Sequence, residues 1–222
     1  KGVCFIACHC LLLKIYSPNV CTSLKKVVPL QDERTKDVKT LYIIAGCNGA
    51  GKTTASYTIL PEILKCKEFV NADAIAQGIS PFNSESVAIQ AGRVMLQRID
   101  ELLAAGESFS VETTLAARSY LSLIRKAQAQ GYVVNLLFFW LRSPELAIQR
   151  VAKRVSEGGH SIPADVIVRR YYRGIDNFFH IYKDVVDSWI LIDNANNPRI
   201  VIADNDHVYN KELLNSIQSY VG

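Results

Sequence analysis

The residues with most chemistry to offer stand together at Gly46-Cys47-Asn48-Gly49-Ala50-Gly51-Lys52-Thr53-Thr54. They satisfy G-x-x-x-x-G-K-S/T at every required position, a pattern whose backbone N–H groups can converge on phosphate oxygens. A Cβ at the glycines would crowd such a ligand. Lys52 has the length to reach β- and γ-phosphates, and the Thr53 hydroxyl is of the kind that ligates Mg2+ beside them. Cys47 is small enough to fit inside the loop. Ahead of the loop runs Leu41-Tyr42-Ile43-Ile44-Ala45, apolar and β-branched, which predicts a buried strand. Thr54 to Leu64 reads as a helix that Pro61 bends or ends. Strand, glycine loop and helix form the setting this motif needs, with the helix N-terminus adding partial positive charge.

Other candidates are carboxylates and hydroxyls at predicted strand ends. Asp73 closes the strand Glu68-Phe69-Val70-Asn71-Ala72-Asp73. A carboxylate there can take the proton of an attacking hydroxyl, or it can cap a short helix Ala74 to Gln77. Glu112, Thr113 and Thr114 follow the strand Ser108 to Val111. They could bind a polyhydroxylated ligand, support magnesium from behind, or cap the next helix. Six arginines crowd residues 142 to 173: Arg142, Arg150, Arg154, Arg169, Arg170 and Arg173. Arg150 and Arg154 lie one helical turn apart on a shared face. Such a set can clamp a transferring phosphoryl group. Solvated helix faces are the simpler reading of Arg142, Arg169 and Arg173. Gly158-Gly159 is hinge chemistry, and His160 beside it suits a structural hydrogen bond better than a base.

The elements that must position these groups alternate. Ser84 to about Gly106 has apolar residues at three- and four-residue spacing, with Ser84 as N-cap and Gly106 as stop. Helices are also predicted from about Arg118 to Gln130, over 144–156 and 163–182, and from about Lys211. Strands are predicted at Tyr132 to Trp140 (buried on both faces), Trp189 to Ile192 and Arg199 to Ile202. This is an α/β pattern with a mainly parallel sheet, whose sites lie beyond the carboxyl ends of the strands.

Length and composition agree. The 222 residues suit one large domain; 49% apolar and 21% charged content is ordinary for a globular chain. A net charge of +4 suits an anionic ligand but is too small for a nucleic-acid binder. Six cysteines without paired spacing point to a reducing, cytoplasmic setting. Four of them, Cys4, Cys8, Cys10 and Cys21, stand near His9 but lack metal-knuckle spacing. Val3 to Leu13 is too short to span a bilayer, so no membrane partner is expected. Residues 1–38 read as an N-terminal extension and 39–222 as the domain.

Gly46 to Thr54, Phe69 to Asp73, Ser108 to Leu115, and Arg154 to Pro163 followed by Arg169-Arg170-Tyr171 together resemble the zeta toxin family. The likeness is nearer to its bacterial branch labelled "predicted ABC-type ATPase", and it runs from about residue 40 onward. It implies a three-layer P-loop kinase fold with a helical lid, ATP and Mg2+ as cofactors, and a small-molecule hydroxyl as acceptor. In the toxins proper that acceptor is the nucleotide sugar UDP-N-acetylglucosamine. The resemblance implies that Lys52 and Thr53 hold phosphate and magnesium, Asp73 acts as base, and Glu112 and Thr114 contact substrate. Arg154 and Arg170 would be the lid arginines, with Arg150 a further candidate. The family admits an antitoxin partner. The segment Ala74 to Pro81 departs from the toxins proper, so the acceptor does not carry over. A true ABC-type ATPase is the competing reading. It rests on Ser156-Glu157-Gly158-Gly159-His160 and on Ile190-Leu191-Ile192-Asp193, but Asn194 stands where that class has a glutamate. A nucleotide-binding module without catalysis would need neither Asp73 nor Glu112.

Overall fold

Thr40–Ala45 forms strand β1, with all six residues buried. A computed structural model describes residues 38–221 apart from His160 and Pro198. The expectations for the cysteine-rich N-terminal stretch and for His160 therefore lie outside the described residues. β1 sits inside a six-stranded sheet with β2 (Glu68–Val70), β3 (Phe109–Thr113), β4 (Val133–Trp140), β5 (Ser188–Asp193) and β6 (Ile200–Asp204). The spatial order is β2-β3-β1-β4-β5-β6. Every neighbouring pair is parallel except β5 and β6. The run predicted to be buried on both faces is β4, where every residue after Val133 is buried. Only cover on both sides of a parallel strand allows that, which makes the molecule three-layered.

Seven α-helices lie among the described residues. α1 (Lys52–Thr58) leaves the glycine loop and widens into a π turn at Ile59–Ile63. Pro61 has no N–H to continue the regular ladder, and the turn closes with the longer bond from Leu64 N to the Ile59 carbonyl, 2.9 Å. α2 is Ala72–Ile79 and α3 is Ala88–Ala105. Ser84 is not the N-cap of that long helix. It opens a separate 3-10 turn, Ser84–Val87, and no side chain caps either segment. Gly106 does end α3, in the left-handed conformation at φ 71°. α4 (Tyr120–Ala129) begins two residues later than predicted.

α5 (Pro144–Ser156) has the predicted bounds. Ser143 caps it by accepting from Leu146 N at 3.2 Å, and Pro144 occupies the first turn, where its missing N–H costs nothing. α6 (Ala164–Asn177) continues into a π turn, Phe178–Tyr182, and α7 is Lys211–Gln218. α5 and α6, the helices expected to form a lid, lie beside the glycine loop. Behind them Phe178 packs on Phe138 of β4 at 4.9 Å between ring centroids and on Trp189 of β5 at 5.5 Å. Truncating that fully buried ring to alanine would cost about 3–5 kcal/mol. No helix among the described residues is long and apolar enough to cross a membrane.

Candidate active site

The register sets the site. Ile44 pairs with Glu112 and Ala45 with Thr113, so the start of the glycine loop and the end of β3 emerge side by side. Between them and α5 and α6 lies a cleft of about 1180 Å³. Five basic side chains (Lys52, Arg150, Arg154, Arg170, Arg199) line it against three acidic ones (Asp73, Glu112, Glu157). That excess favours a polyanionic ligand.

The glycines of the loop are required by protein as much as by any ligand. A Cβ on Gly46 would lie 2.2 Å from the Phe139 carbonyl oxygen, one on Gly49 2.7 Å from that of Ala147, and one on Gly51 2.7 Å from Asn194 Nδ2. The loop is thus pressed against β4, α5 and the connection after β5 at once, and all three glycines also have positive φ. Of the loop residues predicted to hold nucleotide, Asn48, Gly49, Gly51, Lys52, Thr53 and Thr54 line the cleft. Gly46 and Ala50 turn to the protein instead, and what they contribute is the shape of the loop. Cys47 is buried, and burial raises its pKa from 9.0 to about 11, although Lys52 and Arg150 pull the other way. The thiol is therefore neutral and poorly reactive near pH 7.

Lys52 is buried and donates to the Cys47 carbonyl at 3.1 Å, with Glu112 3.6 Å away. Thr53 Oγ1 donates to Glu112 Oε2 at 2.8 Å, and Asn71 Nδ2 donates to the same oxygen at 2.9 Å. Glu112 is therefore no helix cap. Nor is Asp73: Asn71 Oδ1 caps α2, accepting from Asp73 N at 2.8 Å and Ala74 N at 3.2 Å. With the cap supplied two residues earlier, the Asp73 side chain is left exposed along the cleft. Thr53 and Glu112 offer a hydroxyl and a carboxylate, hard oxygen donors of the kind Mg2+ takes.

Thr114 lines the same cleft, held by an unusual neighbour. Leu115 is buried with φ 58°, a conformation costing about 1–2 kcal/mol in a non-glycine residue. Its N–H donates to Thr113 Oγ1 at 3.0 Å, and its carbonyl accepts from Asn177 Nδ2 at 2.8 Å. Gly174 of α6 lets the Thr114 carbonyl approach closely; a Cβ there would meet it at 2.7 Å. The sequence carried no signal for this kink.

The arginines separate into three groups. Arg170 donates to Asn48 Oδ1 at 3.1 Å, tying α6 to the glycine loop, and Arg154 lines the cleft from α5. Arg150 shares the face with Arg154 as predicted, but its guanidinium donates to the carbonyls of Asn194 at 2.9 Å and Ala195 at 2.7 Å. Arg142 pairs with buried Asp193 at 2.9 Å, and Arg169 and Arg173 are exposed away from the cleft. Asp193 is thereby engaged with Arg142 and with Ala195 N at 2.8 Å, not with Thr53. The acidic position next to the loop belongs to Glu112 on the adjacent strand, which removes the main support for the ABC-type reading. Sequence reasoning gave no part in the site to Asn194 to Asn197 or Arg199, all of which line the cleft. The available signal was a polar run at the carboxyl end of a strand.

A family model described as Zeta toxin matches residues 28–207, beginning inside the stretch that sequence reading left unmatched. An uncharacterized protein of Haemophilus influenzae is 29% identical over 126 residues, covering 57% of this chain and 88% of its own. Among solved structures, AvrRxo1-ORF1:-ORF2 with ATP superposes with TM-score 0.67 at 18% identity, over 96% of this chain and 71% of that one. The PezAT chromosomal toxin-antitoxin system of Streptococcus pneumoniae gives TM-score 0.57 at 14% identity, over 91% and 93%.

Proposed function

Because the chain belongs to the zeta toxin family, we propose that it is an ATP-dependent kinase that phosphorylates a hydroxyl of a small molecule, with nucleotide sugars such as UDP-N-acetylglucosamine the first acceptors to test. One observation carries the reading: Lys52, Thr53, Glu112 and Asp73, from three separate stretches of sequence, line one cleft at the carboxyl ends of β1, β2 and β3. A module that only bound nucleotide would need the first two alone.

In the proposed reaction the acceptor oxygen forms a bond to the γ-phosphorus as the bond from that phosphorus to the β,γ-bridging oxygen breaks. ADP keeps the bridging electron pair. The hydroxyl proton passes to the Asp73 carboxylate, and Thr114 and Glu112 orient the acceptor. Lys52, freed from the Cys47 carbonyl, neutralises β- and γ-oxygens. Arg154 and Arg170 stabilise the charge that spreads over the moving phosphoryl group. Mg2+, held by Thr53 with Glu112 behind it, would supply further neutralisation of the phosphates.

A reducing compartment suits the two described cysteines, Cys47 and Cys66, both free and buried. A protein partner belongs to the proposal as well, supported by the resemblance of this fold to chains solved as AvrRxo1-ORF1:-ORF2 and within a toxin-antitoxin system. The test is incubation with ATP and a panel of nucleotide sugars, read by mass spectrometry for a gain of about 80 daltons, one phosphoryl group. Formation of ADP with no modified acceptor in the panel would remove nucleotide sugars from the proposal. Absence of ATP binding would remove the kinase.

A further inference from the structure

The glycine loop has a support on the side away from the cleft's acceptor groups. Asn194 follows β5 and is buried. Its Nδ2 donates to the Ala50 carbonyl, a contact across 144 residues, at 2.5 Å, and its Oδ1 accepts from Arg199 Nε. Its backbone is fixed as well: the N–H donates to the Trp140 carbonyl at 2.9 Å, and its carbonyl accepts from Arg150. Gly51, whose missing side chain makes room for Nδ2, is the residue directly after Ala50.

We propose that Asn194 is a positioning residue for phosphate binding: a strut that holds the Ala50 carbonyl turned into the protein so that the loop N–H groups face the cleft. A peptide unit has its N–H and C=O on opposite sides, so fixing the Ala50 oxygen fixes the direction of the Gly51 N–H. An amide side chain is suited to this place because it donates at one end and accepts at the other. Arg199 orients the amide and Arg150 anchors the connection, so Arg150 acts through Asn194 and Ala195, not on phosphate. This inference rests on the nucleotide reading of the cleft and assigns Asn194 to the phosphates, not to the base or sugar of the nucleotide.

The test compares ATP with inorganic tripolyphosphate by calorimetry, for the parent chain, Asn194→Ala and Asn194→Asp, each first checked for its melting transition. Asp retains the acceptor for Arg199 and about the same volume but cannot donate to Ala50. Asn194→Ala should bind both ligands about tenfold more weakly than the parent, by the same factor for each, the size expected from one lost buried hydrogen bond. Asn194→Asp, which also sets a negative charge beside the phosphates, should bind them more weakly still. If Asn194→Ala does not fold, Asn194→Leu, which keeps the volume, adds no charge and cannot donate to Ala50, takes its place. ATP weakened with tripolyphosphate unchanged would overturn the strut and place Asn194 on the nucleoside. Parent-like binding of both ligands would overturn it too. A parent chain that binds neither ligand would overturn the nucleotide reading itself, an outcome separate from the other two.

Discussion

Thr53 gives its hydroxyl hydrogen to Glu112, Oγ1 to Oε2 at 2.8 Å, across 59 residues of sequence. The contact joins the end of the phosphate motif to the carboxyl end of the adjacent strand. It turns a motif readable over nine residues into a site with a carboxylate beside the Thr53 hydroxyl.

Glu112→Gln keeps the size of the side chain and removes its charge from Lys52 and from any ion beside Thr53. Turnover should need more Mg2+ and fall about 10- to 100-fold, the usual cost of disturbing a group behind a metal ligand. A magnesium titration of activity checks this. A parent-like curve would leave Glu112 with a purely structural part.

Asn71 performs two tasks, capping α2 with Oδ1 and holding Glu112 with Nδ2. Asn71→Ala should cost about 1 kcal/mol for the cap, seen as a melting temperature lower by about 2–4 °C in a chain of this length. Asn71→Ser keeps a capping oxygen and loses the reach to Glu112. It should therefore recover the melting temperature without recovering turnover, and joint recovery would contradict the second task.

Arg154 and Arg170 are proposed to strengthen their contacts as the phosphoryl group moves. Alanine at either position should lower kcat by more than it raises the Kd for ATP, since only interactions stronger in the transition state raise the rate. Equal changes in both quantities would place the arginine in ground-state binding. Arg170 leaves its present partner, Asn48 Oδ1, to do this.

Much of the fold was legible because local rules govern it. The glycine loop, the bounds of α5 with Ser143 and Pro144 at its start, Gly106 as a stop and the doubly buried β4 all follow from residues adjacent in sequence. Competition between neighbours defeated other readings. Asp73 is a good capping residue, but Asn71 stands two positions earlier with an amide that caps α2 and reaches Glu112 together. Ser84 has cap chemistry, yet the chain spends Ser84–Val87 in a tighter turn before α3. Asn194, Arg150 and Leu115 were illegible in their roles because each depends on a partner 44 to 144 residues distant. The arginine cluster shows the same limit: spacing placed Arg150 and Arg154 on one face, but only the fold shows Arg150 turned to carbonyls.

Cys47 sits inside the phosphate loop as a neutral thiol. Its raised pKa, about 11 against 9.0, has a signed consequence. The folded state prefers the protonated form, so this stabilisation is complete below pH 9 and is lost as the pH rises towards 11. Cys66, raised to about 11 by burial, acts in the same sense. Alkylation by iodoacetamide at pH 7.5, a value about three and a half units below that pKa, should leave Cys47 unmodified in the native protein and modify it on unfolding. Peptide mapping distinguishes it from the other cysteines. Rapid native modification would mean that the loop opens.

The most direct test of the kinase reading is the Asp73→Asn variant, measured for turnover and for ATP affinity together. Asn71 caps α2, so the substitution leaves the cap untouched and removes only a proton acceptor from the cleft. On an acceptor that the parent phosphorylates, turnover should fall about 10²- to 10⁴-fold, the usual contribution of a general base, with ATP affinity within a few-fold and melting temperature unchanged. Turnover retained within about threefold would contradict the assignment of Asp73 as base and with it the chemistry proposed for this cleft.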